Sequence, residues 1–279
     1  MLNVNVGPLS VQVSHLLLLL SLLVAAGVGR WVGRHQKTGI GHVLIDMFWV
    51  SLVAARVAFV VSWFELYSSA PWSLLDIRDG GFTPWVGLLA AACMGIWRGW
   101  RQPALHNPLL WGVAAGALAW GVMSAALESM ENSSKKTWPT VVLLTLAAQS
   151  TTLAEVAQGQ PMVVNLWASW CPPCRREMPV LAAAQQQEKG MTFVFANQGE
   201  GAATTFRYLQ ASQLDLKNVL LDPRATLGHT IGSTALPTTL FYDADGRLVD
   251  THLGELSKAS LASKLAKLRN AHSVSTEQK

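Results

Sequence analysis

Cysteine is scarce in this chain of 279 residues: there are three, Cys93, Cys171 and Cys174. A disulfide scaffold needs more, so disulfides do not hold this fold together. Charge is scarce as well, at 14% of residues, where an ordinary soluble domain carries roughly 25%. There is no basic run and no charged tail. From Trp138 onward acids and bases nearly cancel, so the net charge of +4 gives no ground for nucleic-acid binding. No internal repeat is visible. Apolar residues are abundant, at 51%. A chain so apolar and so weakly charged is expected to place part of itself in lipid, and its length suits two domains.

The apolar excess lies in the first half. A helix needs roughly 20 apolar residues to cross the hydrocarbon. Four stretches are candidates: Val11 to Gly29, Ile40 to Phe64, the shorter Pro84 to Trp97, and Leu109 to Leu127. Trp31, Trp63, Trp72, Trp85, Trp97 and Trp100 cluster near their ends, where amphipathic rings settle at the headgroup level. The first loop holds Arg30, Arg34 and Lys37, and the third holds Arg98 and Arg101, both without an acid. The second holds Glu65, Asp76 and Asp79 against Arg78. Positive loops stay in the cytoplasm, so both chain ends are expected outside it. A cleaved signal peptide is the alternative for the first span. Its basic n-region is missing, which favours an anchor with the N-terminus outside.

Arg56 and Asp46 fall within the second span, where charges are costly and raise a functional question. Arg56 could meet a lipid headgroup; the plainer alternative is that it snorkels or pairs with Asp76 or Asp79. Gly112 and Gly116 have the G-x-x-x-G spacing of a close helix-packing face. Cys93, alone in the membrane half, is expected to be a small buried packing residue.

The expected organisation is a helical membrane domain over residues 1–127, a polar tether over 128–137, an α/β domain over 138–272 and a frayed tail over 273–279. In the second half, Val141 to Leu146, Met162 to Trp167, Met191 to Ala196, Val219 to Leu221, Thr238 to Tyr242 and Leu248 to His252 are short apolar runs. Arg175 to Lys189, Ala202 to Ala211 and Leu256 to Arg269 have helical character. Asp245-Gly246 marks a hairpin turn. Strands alternating with helices, then a hairpin and a closing helix, predict helices packed on a mixed sheet.

The chemistry centres on Trp167-Ala168-Ser169-Trp170-Cys171-Pro172-Pro173-Cys174. The C-x-x-C follows a predicted strand and opens a predicted helix, the setting of a redox motif. Cys171 at a helix N-terminus would meet unpaired N–H groups and the positive end of the helix dipole, which favour a thiolate. Cys174, one turn further in, would resolve the mixed disulfide that Cys171 forms. The same spacing is also half of many zinc sites. The second half is absent here, since the soluble part offers only His229, His252 and His272 without pair spacing. No metal and no cofactor is expected.

W-A-S-W-C-P-P-C-R-R-E-M-P, then N-Q-G-E, then A-L-P-T-T, resembles the TlpA/ResA-like branch of the thioredoxin superfamily. The resemblance spans about the last half of the chain. It implies a thioredoxin fold and a protein disulfide oxidoreductase working outside the cytoplasm, in a bacterial periplasm, on protein disulfides. It assigns Cys171 and Cys174 as the redox pair and Pro237, followed by Thr238, as a cis-proline facing them. It also places Glu177 near the site, as a carboxylate able to handle the proton of the resolving thiol. Asn165 stands where ordinary thioredoxins carry a buried acid, and Trp167 and Trp170 are expected to pack around the site. Pro172 and Pro173 between the cysteines resemble the reductive branch, so a reductase or isomerase is expected rather than an oxidase. Cytochrome c maturation is one such setting.

The stretch Ala55-Arg56-Val57-Ala58-Phe59-Val60 through Asp76-Ile77-Arg78-Asp79-Gly80-Gly81-Phe82 is similar to part of the prolipoprotein diacylglyceryl transferases. Thr83-Pro84-Trp85-Val86-Gly87 replaces that family's histidine-bearing motif. The resemblance implies a scaffold in contact with membrane lipids, not a transferase. A single membrane cysteine cannot relay electron pairs, so a reductase would need a separate transmembrane donor of the DsbD/CcdA kind. Two other readings carry over from the residues: a lipid-modifying or lipid-binding protein with an appended redox domain, and a metal-delivery module.

Overall fold

The computed structural model describes residues 3–6, 9–35, 39–68, 74, 79–132 and 138–277. The chain divides into two compact units. One is helical, Val4–Leu75 with Gly81–Ser133. The other gathers Ser134–Lys279 with the short segments Met1–Asn3 and Asp76–Gly80.

The N-terminal residues pair as a small two-stranded sheet, β1 (Asn3–Val6) with β2 (Leu9–Gln12). The helices that follow are α1 (Val13–Val32), α2 (Ile40–Ser62), the single turn and a half of α3 (Phe64–Ser68), α4 (Pro84–Arg101) and α5 (His106–Asn132). Among the described residues, three apolar helices have the length and composition to cross a membrane: Val13–Val32, Ile40–Ser62 and Pro103–Leu127. Helix α4, the expected third span, is longer than its sequence run suggested. It is also more amphipathic, ending on Arg98 and Arg101.

Small residues set the helix packing. A Cβ on Gly112 would lie 2.8 Å from the Ala25 carbonyl oxygen, and one on Gly116 would lie 2.9 Å from the Ala25 Cβ. The G-x-x-x-G face of α5 therefore lies directly against α1. Gly87 of α4 approaches α2 in the same way, where a Cβ would meet Ser51 Oγ at 2.8 Å. Arg98 of α4 is ion-paired with Asp46 of α2, which accounts for the acid inside the second span. The outward faces are apolar, with Leu23, Val61, Leu88 and Leu118 each exposed.

Two expectations for this half are corrected. Cys93 is exposed, not buried, because α4 buries the face carrying Gly87, Gly95 and Gly99 and Cys93 lies off it. Helix α5 runs on to Asn132, so the first part of the expected tether is helical. Glu128 and Glu131 are good helix formers and do not interrupt it. Residues 133–137 of that tether lie outside the described residues.

The second unit contains β3 (Leu143–Thr145), β4 (Ser150–Thr151), α6 (Leu153–Ala157), β5 (Met162–Trp167), α7 (Pro172–Gln187), β6 (Thr192–Gln198) and α8 (Ala202–Ala211). It continues with β7 (Val219–Asp222), α9 (Thr226–Thr230), β8 (Thr238–Tyr242), β9 (Leu248–Leu253) and α10 (Lys258–Glu277). Its seven strands form one mixed sheet in the order β4-β3-β7-β6-β5-β8-β9. β5, β6 and β7 are parallel, and β8 runs antiparallel to β5. Two successive crossovers in the same direction put α7 and α8 on one face.

Strand alternation sorts the core. Val163 and Trp167 of β5 join Met178 and Leu181 of α7 and Leu261, Leu265 and Leu268 of α10. Met162, Val164 and Leu166 join Leu153 of α6 and Leu227 of α9 on the other face. Each buried Leu of α10 contributes about 2 kcal/mol by removal from water. That stripe, with Arg269 on Glu188 at 2.8 Å, seats α10 across α7. The helix continues through Glu277 instead of fraying at Ser273.

Candidate active site

The end of β5 turns straight into α7, and this turn carries the cysteines. Trp167 is the last strand residue and Pro172 the first helical one. Proline suits that position, since its missing N–H would be unpaired there anyway. Cys171 is the N-cap: its Sγ accepts a hydrogen bond from the Cys174 N–H at 3.3 Å. The two cysteines are joined as a disulfide, with Cα atoms 5.3 Å apart. Cys174 is wholly buried and Cys171 nearly so. The N–H that meets the Cys171 sulfur is one of the helix's unpaired donors, and it stabilises a thiolate in the reduced state.

Glu177 lies one turn beyond Cys174 on the same helix. It is fully buried, not solvated. Asn165 Nδ2 donates to its Oε1 at 2.7 Å, and the Leu256 N–H donates to its Oε2 at 2.9 Å. Burial pushes its pKa up to about 7, against the pull of those two donors and with a small push from Glu255. Asn165, in the middle of β5, also donates to Thr239 Oγ1 at 3.0 Å. The acid of this core is thus supplied by the helix, and an amide on the strand holds it in place.

Pro237 follows Leu236 through a cis peptide bond. It opens β8, whose Thr238 stands opposite Leu166 near the C-terminal end of β5, so Pro237 shares the sheet end that carries the cysteines. Thr238 is buried, and its hydroxyl donates to the Ala235 carbonyl at 2.6 Å. Trp167 is buried and meets the Tyr208 ring at 5.4 Å. Trp170 does not pack as expected: it is 67% exposed. The turn that buries Cys171 points the preceding side chain outward. Among the described residues, no group of three or more His, Cys, Asp or Glu is placed to hold a metal ion.

Sequence reasoning passed over Glu200, the last residue of N-Q-G-E. Its Oε2 accepts from the Ser169 N–H and from Asn197 Nδ2, each at 2.7 Å, and its Oε1 accepts from Ser169 Oγ. This carboxylate ties the end of β6 to the loop two residues before Cys171. The motif was visible in the sequence, but its target lies 31 residues away. In Glu200→Ala three donors lose their acceptor. A loss of about 2 kcal/mol in unfolding free energy is expected from part-buried donors left unpaired. Denaturant titration checks it, and an unchanged midpoint would show that the clamp is unimportant.

Arg56 belongs to the helical unit and is buried within it. It donates to the Gly81 carbonyl at 2.9 Å and the Leu74 carbonyl at 3.3 Å, and it lies over the rings of Tyr67 and Phe82. These contacts tie α2 to Leu74 and to Gly81, just ahead of α4.

A disulfide at the N-terminus of a helix, on a sheet of this topology with a cis-proline beside it, defines a thioredoxin-like protein. Comparison with known proteins agrees. The Redoxin family model matches residues 133–268. The thiol:disulfide interchange protein DsbE of Pseudomonas fluorescens biotype C is 31% identical over 135 residues, covering 47% of this chain and 72% of that protein. The thioredoxin-like protein YneN of Bacillus subtilis is 29% identical over 129 residues, covering 46% and 75%. Among solved structures, MTB DsbF aligns with a TM-score of 0.44 at 24% identity, over 47% of this chain and 99% of that one. Through its C-terminal half the chain belongs to the redoxin family of thiol:disulfide oxidoreductases.

Proposed function

We propose that this protein is a membrane-anchored reductase of protein disulfides outside the cytoplasm, acting through Cys171 and Cys174. The observation that carries the reading is the Cys171–Cys174 disulfide at the N-terminus of α7, one turn from a buried carboxyl poised to exchange a proton near neutrality. In the reduced state the Cys171 thiolate attacks a substrate disulfide, releasing one substrate thiolate and forming a mixed disulfide. Glu177 takes the Cys174 proton. The Cys174 sulfur then attacks Cys171, closing the protein disulfide and releasing the second substrate thiol. Asn165 positions Glu177, and Pro237 with Thr238 forms the wall that the substrate backbone meets.

The helical unit is the anchor. Four helices, α1, α2, α4 and α5, span the bacterial inner membrane with both chain ends in the periplasm. Their exposed apolar faces and the exposed Trp31, Trp85, Trp97 and Trp100 suit lipid and headgroups. The domain limits follow: membrane helices to about residue 127, then a linker, then the redox domain. The likeness to prolipoprotein diacylglyceryl transferases is one of scaffold. Arg56 serves that scaffold by holding the Gly81 and Leu74 carbonyls, which favours the scaffold over the lipid-modifying reading. Electrons reach the pair from a separate transmembrane thiol donor, since Cys93 has no second thiol in its half of the chain.

The reductive direction is tested by equilibrating the full-length chain in detergent against dithiothreitol or glutathione buffers. A reduction potential near that of thioredoxin, about −270 mV, is expected. A value near about −120 mV would make the protein an oxidant of secreted thiols and end the reductase reading.

A further inference from the structure

We infer that the groove beside the dithiol is a subsite for an acidic side chain of the substrate polypeptide, with Arg175 as its recognising cation. The inference rests on the oxidoreductase reading and adds a specificity to it. The groove has a volume of about 410 Å³ and is lined by Pro172, Arg175, Arg176, Pro179, Tyr208 and Leu214, among others. Pro172 directly follows Cys171, so the groove begins at the nucleophile. A polypeptide that brings a cysteine to Cys171 lays its neighbouring residues beside this opening.

The charges in the groove are unequal. Arg176 is neutralised by Glu255 at 2.6 Å. Arg175 has no carboxylate partner among the described residues. Its guanidinium lies 5.8 Å from the centre of the Tyr208 ring instead. This cation–π contact holds the guanidinium near the ring without using its N–H donors, which stay available to a planar, two-oxygen acceptor. The positive end of α7 adds to the same field. Ser212 also lines the groove, and its apolar walls are two prolines and a leucine, which suit the aliphatic stem of Asp or Glu. A cationic partner would face Arg175 without compensation, and a neutral one would leave it unpaired.

The test uses full-length protein in detergent and three disulfide-linked peptide probes. The probes are identical except for Asp, Asn or Lys two residues from the cysteine. The Asp probe is expected to be reduced with about tenfold higher kcat/KM than the Lys probe, chiefly through KM, with the gap closing at high salt. Arg175→Glu should reverse the order, Arg175→Gln should level it, and Tyr208→Ala should narrow it. The reduction potential of each variant is measured alongside, which separates recognition from driving force. Equal rates for the three probes, or an Arg175→Glu variant with the original order, would overturn the subsite and leave the oxidoreductase reading standing. A chain that reduces none of the probes overturns that reading and the subsite with it.

Discussion

Replacing Cys171 by serine should reduce disulfide exchange to the uncatalysed background, a loss on the order of 10³-fold or more. A hydroxyl at this position is not ionised at neutral pH, and the Cys174 N–H that meets the Cys171 sulfur cannot make it so. Cys174 cannot take over the attack, because it is wholly buried beneath the turn. Replacing Cys174 by serine should give a different result. Cys171 still attacks, but nothing closes the mixed disulfide. The variant should therefore accumulate one covalent substrate equivalent, which mass spectrometry of the intact protein detects and dithiothreitol releases. Equal turnover in both variants and the wild type would remove the pair from the reaction.

Much of this site can be read along the chain because its parts are local. The strand Met162–Trp167, the C-x-x-C and the first turns of α7 are contiguous, and strand alternation with a helix start signal is enough to place Cys171 at an N-terminus. The edges were legible too: Thr238–Tyr242 is a strand with the bounds its apolar run suggests. What escaped depends on partners far away in sequence. The resemblance places Glu177 near the site, but its full burial depends on Leu256, 79 residues on, which donates to it. The short α9 is fixed by Asp222, whose carboxylate accepts from the Thr226 and Leu227 N–H groups. One omission had a local signal. Helix α6 begins with Thr152 and Glu155, a reciprocal capping box that the sequence displays openly. In the helical unit, periodicity cannot tell which face of α4 is covered, and so the exposure of Cys93 was invisible.

Glu177→Gln should separate the chemical role of this carboxyl from its structural cost. Glutamine keeps an acceptor for the Leu256 N–H but cannot take a proton. If Glu177 accepts the Cys174 proton, the resolving step in wild type rises with pH around 7, where the carboxyl ionises. The variant should lose that inflection and slow by about a hundredfold, the lower end of what a positioned base supplies. Stability should move the other way. The folded pKa of about 7 stands above the ordinary value of 4.5, so between these values the folded state holds a proton that the unfolded state has released. Stability from this group is complete below about pH 4.5 and is lost as pH rises towards 7. The loss is at most about 3 kcal/mol for a shift of this size. His252 opposes it: burial, with the Lys264 charge, lowers its pKa from 6.5 to about 4, so its contribution is present above 6.5 and lost as pH falls towards 4. In wild type the two slopes offset each other between about pH 4.5 and 6.5. Glu177→Gln leaves only the histidine slope, and the variant should gain stability from acid to neutral pH while losing turnover. A variant that is slower but keeps the wild-type pH inflection would show that the proton leaves Cys174 by another route.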